Sequence, residues 1–142
     1  MNNIVMTGGT SGLGKYAALK LASQGKHLIV LARSLKKGQE LKTKLANDHP
    51  NSKGSISIIE ADMNSLKSIL SASEEVKKKW KSIDMLILNA GIMAFERRLS
   101  KDGFEETFQV NLLAPILLTE KLSPLLTKNA NSKIIFTSSG LH

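Results

Sequence analysis

The chain has 142 residues, 42% hydrophobic and 23% charged, with 20 Lys and Arg against 12 Asp and Glu, for a formal net charge of +8. That is enough chain and apolar content for one globular domain over residues 1–142 with a core of its own. It has no cysteine, which excludes disulfides, thiolate nucleophiles and zinc–thiolate sites.

Short apolar runs alternate with longer amphipathic ones. Asn3–Thr7 reads as a buried strand ending in glycines. Gly12–Gln24 has helical spacing through Leu13, Ala17, Leu21 and Ala22, and Gly25 suits its C-terminal cap. His27–Ala32 is a second strand, after which Ser34 caps a helix to about Asn47. Ile56–Glu60 is a third strand, followed by a helix capped by Asn64 or Ser65 and running to about Lys79. This helix carries Glu74, Glu75, Lys77, Lys78 and Lys79, whose i,i+4 pairs Glu74–Lys78 and Glu75–Lys79 mark a solvated face. The basic residues form no single tract, so the net charge does not imply a nucleic-acid partner. Ile83–Leu88 is a fourth strand, Gly103–Lys128 a long helix with a proline inside it, and Lys133–Thr137 a fifth strand.

Five strands joined by helices predict a doubly wound parallel α/β sheet, and right-handed crossovers favour the strand order 3-2-1-4-5. The strands are continuous apolar runs, as expected when helices cover both faces. The N-terminus lacks a basic stretch and a long apolar core. The longest apolar runs, around Met85–Phe95 and Val110–Leu118, are too short to span a bilayer. We therefore expect a cytoplasmic protein with no membrane span.

Thr7-Gly8-Gly9-Thr10-Ser11-Gly12-Leu13-Gly14 joins the first strand to the first helix. Glycines there let the backbone turn sharply and approach a pyrophosphate, which the positive end of the helix then meets with free N–H groups. Gly12-x-Gly14-x-x-Ala17 fits the Rossmann-type dinucleotide fingerprint, with small Ala17 expected to pack closely on the sheet. An NAD-selective site places an acid at the end of the second strand. Here the residue is Arg33, 19 positions beyond Gly14, with Ser34, Lys36 and Lys37 behind it. A guanidinium there grips a 2′-phosphate, so NADP is the expected cofactor; the other reading of Arg33 is a surface residue opening a helix.

These motifs together resemble the short-chain dehydrogenase/reductase family, in its compact single-domain branch. The resemblance rests on Thr-Gly-x-x-x-Gly-x-Gly at Thr7–Gly14, on Ala61-Asp62-Met63 after the third strand and on Asn89-Ala90-Gly91 after the fourth. Its last part is Asp102-Gly103-Phe104-Glu105 with Phe108-Gln109-Val110-Asn111. It implies that Asp62, with Met63, lies against the adenine ring, and that Asn89, Ala90 and Gly91 border the cofactor. Leu88 stands where the family motif commonly has its first Asn, and it is expected to pack at the end of the strand.

Asn111 matches the asparagine of the family's catalytic Asn-Ser-Tyr-Lys set. Pro115, four residues on, has no N–H to give the Asn111 carbonyl, so the proline either frees that carbonyl or only kinks the helix. Of Ser138 and Ser139, the resemblance assigns Ser139 to polarising a substrate carbonyl. The retinol-dehydrogenase-like subgroup is the nearest in pattern, which points to a small carbonyl or alcohol substrate of lipophilic character.

The family's Tyr-x-x-x-Lys acid is not found after the fifth strand. The one tyrosine, in Tyr16-Ala17-Ala18-Leu19-Lys20, has that spacing but sits on the first helix behind the phosphate turn. The expectation is therefore an NADP-dependent oxidoreductase domain truncated before its proton donor and before the family's C-terminal strands and helices. The alternative is a non-catalytic NADP-binding module. The resemblance also implies that a fuller form can pair as a homo-oligomer through the long helix and the one that follows it in the family. His27, His49 and His142 show no metal-ligand spacing, so no metal is expected, and Trp80 and the methionines are assigned to packing.

Overall fold

The computed structural model describes residues 2–128 and 130–138. In chain order the elements are β1 (Asn3–Thr7), α1 (Gly12–Ser23), β2 (His27–Ala32), α2 (Leu35–Asp48), β3 (Ser55–Glu60), α3 (Leu66–Lys79) and β4 (Met85–Leu88), then the short α4 (Glu106–Phe108), a π turn over Gln109–Leu113, α5 (Ala114–Leu126) and β5 (Lys133–Phe136). The strands form one parallel sheet in the order β3-β2-β1-β4-β5. This is the expected order.

Alternation along the strands divides the core in two. Val5, Ile29, Leu31, Ile59, Leu86 and Leu88 point to one face, under α3 and α5. Ile4, Met6, Leu28, Val30, Ile56 and Ile87 point to the other, under α1 and α2. Along the central strands β1, β2 and β4 the interior residues are thus apolar whichever way they point, which is why those runs are continuous in sequence. Trp80 packs against the first cluster. The β5 side chains Ile134, Ile135 and Phe136 are exposed. Among the described residues no helix is long and apolar enough to cross a membrane.

Most caps are where the sequence puts them. Ser34 accepts from the Lys37 N–H and Ser65 from the Ser68 N–H, both at 3.3 Å. Gly25, at φ +85°, donates its N–H to Ala22 at 2.9 Å to end α1. Other expectations are corrected. Ala17 is exposed, and the close helix–sheet contact is made by Gly14 and Ala18, four residues apart on one face. The ion pair on α3 is Lys77–Glu74 at 2.7 Å, one residue short of the expected spacing. β4 starts at Met85, because the Ile83 N–H goes to the α5 carbonyl of Leu125 rather than to the sheet.

The long helix is the largest departure. Gly103 has φ +84° and cannot begin it. The helix starts at Glu106, where the Glu105 carboxylate accepts the N–H groups of Thr107 and Phe108 at 2.9 and 2.7 Å. Those two bonds hold the Glu105 carboxyl below the usual carboxylate range. It then widens into the π turn just before Pro115, which occupies the first turn of α5. The backbone is thus re-registered over Gln109–Leu113, immediately before α5.

Leu118 on α5 is fully buried among the side chains beneath β1 and β4. Leu118→Ala is expected to lower unfolding stability by about 2–5 kcal/mol, read from chemical denaturation.

Candidate functional site

The site is built on a junction between the carboxyl ends of β1 and β4. The buried Thr7 hydroxyl accepts the N–H groups of both Asn89 and Ala90 at 3.0 Å. Asn89 Nδ2 donates to the Gly8 carbonyl at 3.4 Å. Gly8 has φ +68°, and a Cβ on it would meet the Ala90 N at 2.8 Å. A Cβ on Gly14 would collide with the Gly8 carbonyl oxygen and, at 2.5 Å, with Asn89 Nδ2. Gly12 differs: φ is +49° and nothing lies within 4 Å of a Cβ placed there. The glycines thus do separate jobs. Gly8 and Gly14 let the turn press against β4, while Gly12 supplies a left-handed backbone at the open mouth of α1.

A cleft of about 480 Å³ opens over this junction. Gly8, Thr10, Ser11, Leu13 and Gly14 form its floor, and Asn89, Ala90 and Gly91 its β4 side. Arg33 and Ser34 stand at the end of β2, and Asp62 and Met63 follow β3. Residues scattered through the sequence are therefore gathered at one edge of the sheet. Thr7 and Gly12 do not line the cleft; they shape it, as described above. Ser11 makes no side-chain cap, so the first-turn N–H groups of α1 lack an intrahelical acceptor. The glycine floor and that helix end fit a phosphate-bearing ligand.

Leu31, Ala32, Lys37, Ala61, Asn64, Ile92, Glu106 and Val110 also line the cleft. Of these, Lys37, Ala61, Asn64 and Val110 stood out in sequence, as a basic residue, as motif positions or as a cap. Leu31, Ala32, Ile92 and Glu106 were not marked as site residues, because the sheet edge, the β4 turn and α4 bring them in from distant positions.

Asp62 is the most constrained ionisable group here. Its Oδ2 receives Lys101 Nζ at 2.8 Å and its Oδ1 the Asn64 N–H at 3.0 Å. Burial pushes its pKa up, but the Lys101 hydrogen bond, the Asn64 N–H and the charges of Lys101 and Arg33 outweigh it. The carboxyl is held below the usual range.

Asn111 lies beside the cleft. Its Oδ1 accepts the Ile92 N–H at 2.9 Å and its Nδ2 donates to the Ile92 carbonyl at 2.8 Å. It pins the segment that follows Gly91. Tyr16, on α1, is 70% exposed and does not line the cleft. Thr137 donates its hydroxyl to Asn89 Oδ1 at 3.3 Å, at the end of β5. Ser138 is exposed, and Ser139 lies outside the described residues.

An open parallel sheet with a cleft across its carboxyl edge is the Rossmann-type arrangement. Within that class the family model for short chain dehydrogenase matches residues 2–141, and the chain belongs to that family. It is 38% identical over 128 residues to short chain dehydrogenase resG of Aspergillus sclerotiorum, a match that covers 89% of this chain and 35% of that protein. It is 34% identical over 143 residues to human retinol dehydrogenase 13, covering 98% of this chain and 41% of that one, in line with the expected subgroup. An alcohol dehydrogenase of the archaeon Thermococcus sibiricus, solved in complex with 5-hydroxy-NADP, superposes with a TM-score of 0.75 at 26% identity, over 90% of this chain and 54% of that one. The chain therefore spans between 35% and 54% of these relatives.

Two alanine substitutions separate the glycine roles. Gly12→Ala is expected to cost about 1 kcal/mol, the strain of a left-handed residue. Gly14→Ala is expected to cost about 3 kcal/mol or more, because backbone must move. Thermal unfolding of the two variants side by side tests that order.

Proposed function

We propose that the cleft binds NADP and that the chain is the cofactor-binding part of an oxidoreductase that moves hydride between NADP(H) and a carbonyl or alcohol. The observation that carries this reading is a pair of cations, Arg33 just after β2 and Lys37 in the first turn of α2. Arg33 and Lys37 line the cleft where an NAD-selective site has a carboxylate. Arg33 offers a planar fork of donors to a 2′-phosphate and Lys37 a second positive charge. The glycine turn and the N-terminus of α1 hold the pyrophosphate, while Asp62 and Met63 border the adenine. NADP, when bound, supplies or accepts the hydride. The alcohol dehydrogenase whose structure superposes on this chain was solved with an NADP derivative, which supports the choice of cofactor.

The remaining roles belong to the same proposal. Asn111 holds the chain after Gly91 in position through its two bonds to Ile92, and Ser139 polarises the substrate carbonyl. The substrate is a small lipophilic molecule. Retinol dehydrogenase 13 lends this support by its name, and Met93 and Phe95, 69% and 94% exposed just beyond Gly91, offer an apolar wall. Pairing with a second copy uses α5, where Ile116 is exposed.

Arg33→Asp is expected to lower the ratio of NADPH to NADH affinity roughly 10–100-fold, the worth of a charge-assisted hydrogen bond. Fluorescence titration with each cofactor measures it. An unchanged ratio sinks the assignment of Arg33 and, with it, the preference for NADP.

A further inference from the structure

The segment Ser100–Glu106 lies as a strap against the turn that follows β3. Its contacts fix it from both ends. The Lys101 N–H donates to the Asn64 carbonyl at 3.3 Å, and Asp102 Oδ2 accepts the Leu66 N–H at 2.8 Å. Asn64 Nδ2 donates to Glu106 Oε1 at 3.2 Å. Beneath the strap, the buried Gln109 accepts the Ser100 hydroxyl at 2.5 Å and donates to Asp102 at 2.7 Å. The backbone of Lys101 is therefore anchored, while its side chain, 64% exposed, reaches out to Asp62, whose side chain is only 18% exposed. Asn64 provides a second observation in the same wall of the cleft. Its Oδ1 is buried and has no hydrogen-bond partner. A buried acceptor left unserved is costly. This end of the cleft thus presents one charged acceptor, the Asp62 carboxylate served by Lys101, backed by the buried amide of Asn64.

We propose that Lys101 is a positioning residue for the base end of the cofactor: its ion pair with Asp62, together with the Asn64 N–H, keeps that carboxylate in place as a charged acceptor where the amino group of adenine needs one. The proposal rests on the NADP reading and adds to it a residue with no place in the glycine, arginine or asparagine motifs. The strap carries the ammonium; the β3 turn carries the acceptor it organises.

The charged groups that face Asp62 are few. Lys101 comes from the strap and Arg33 from the β2–α2 junction. The carboxylates of Asp102 and Glu106 on the strap are engaged with the Leu66 N–H and with Asn64. Asp62 is depressed in the folded chain, so its charge is kept above the lowered pKa and lost as pH falls through it. Without Lys101, burial is opposed only by the Asn64 N–H and Arg33, and Asp62 takes up its proton at higher pH.

The test is a titration of the full chain with oxidised NADP, which survives acid, at pH 5 and pH 8. Wild type, Lys101→Met and Lys101→Arg are compared, with melting temperatures alongside. The ratio of Kd at pH 5 to Kd at pH 8 is expected to be about threefold larger in Lys101→Met, as befits a half-exposed ion pair, and to return toward wild type in Lys101→Arg. In an Asp62→Asn background the Lys101→Met change is expected to leave the ratio where it was. The 2′-phosphate titrates alike in all variants and cancels in the comparison. A ratio that Lys101→Met leaves unchanged, or an equal loss of affinity at both pH values, overturns the role of Lys101 while the NADP reading stands. Failure of the wild-type chain to bind NADP at either pH overturns both.

Discussion

Between the ends of β1 and β4 there is room for backbone and for little else. Gly8 sits against the Ala90 amide, and Gly14 sits against the Gly8 carbonyl. Thr7 ties the two strands together by accepting two backbone N–H groups. Everything at the carboxyl edge follows from this close approach. It draws the N-terminus of α1 down to the sheet and places the β4 turn beside it. The space over both becomes a cleft rather than a filled corner. A side chain at Gly8 or Gly14 would force α1 away from β4 and open the floor.

The two-sided core holds that edge rigid from below. Because α1 and α2 cover one face and α3 and α5 the other, the central strands β1, β2 and β4 are locked in register by packing as well as by hydrogen bonds. The loops at the carboxyl edge therefore start from fixed points. Arg33, Asp62 and Gly91 lie on three different connections, yet they face one space because β3, β2 and, across β1, β4 all end at the same edge of the sheet.

The polar ties around the cleft share one logic. Ser100, Asp102, Asn64, Gln109 and Asn111 spend their side chains mainly on backbone groups or on one another. They fasten the β3 turn, the strap and the segment after Gly91. None of these segments is a helix or strand, and none could satisfy its own backbone groups by regular hydrogen bonding. Asn111 shows the point most simply. The sequence marks it through its motif, and the fold uses its amide to pin Ile92.

The strands, the caps at Ser34 and Gly25, the glycine turn and the strand order were legible in the sequence. Each depends on local chemistry: apolar runs, hydroxyls before helices, glycine where φ is positive, and the handedness of short crossovers. The sequence by itself also determined the residue types at the edge, with Arg33 and not an acid after β2. Several features were decided only by tertiary structure. The helix starts late, at Glu106, after a strap tied to the turn following β3 through Asn64 and Leu66. The burial of Ala18 in place of Ala17 depends on which face of α1 meets the sheet. The Lys101–Asp62 pair joins residues 39 positions apart. No periodicity or spacing encodes such a meeting, because long-range contacts form only when separate elements have packed and their loops have closed on one another.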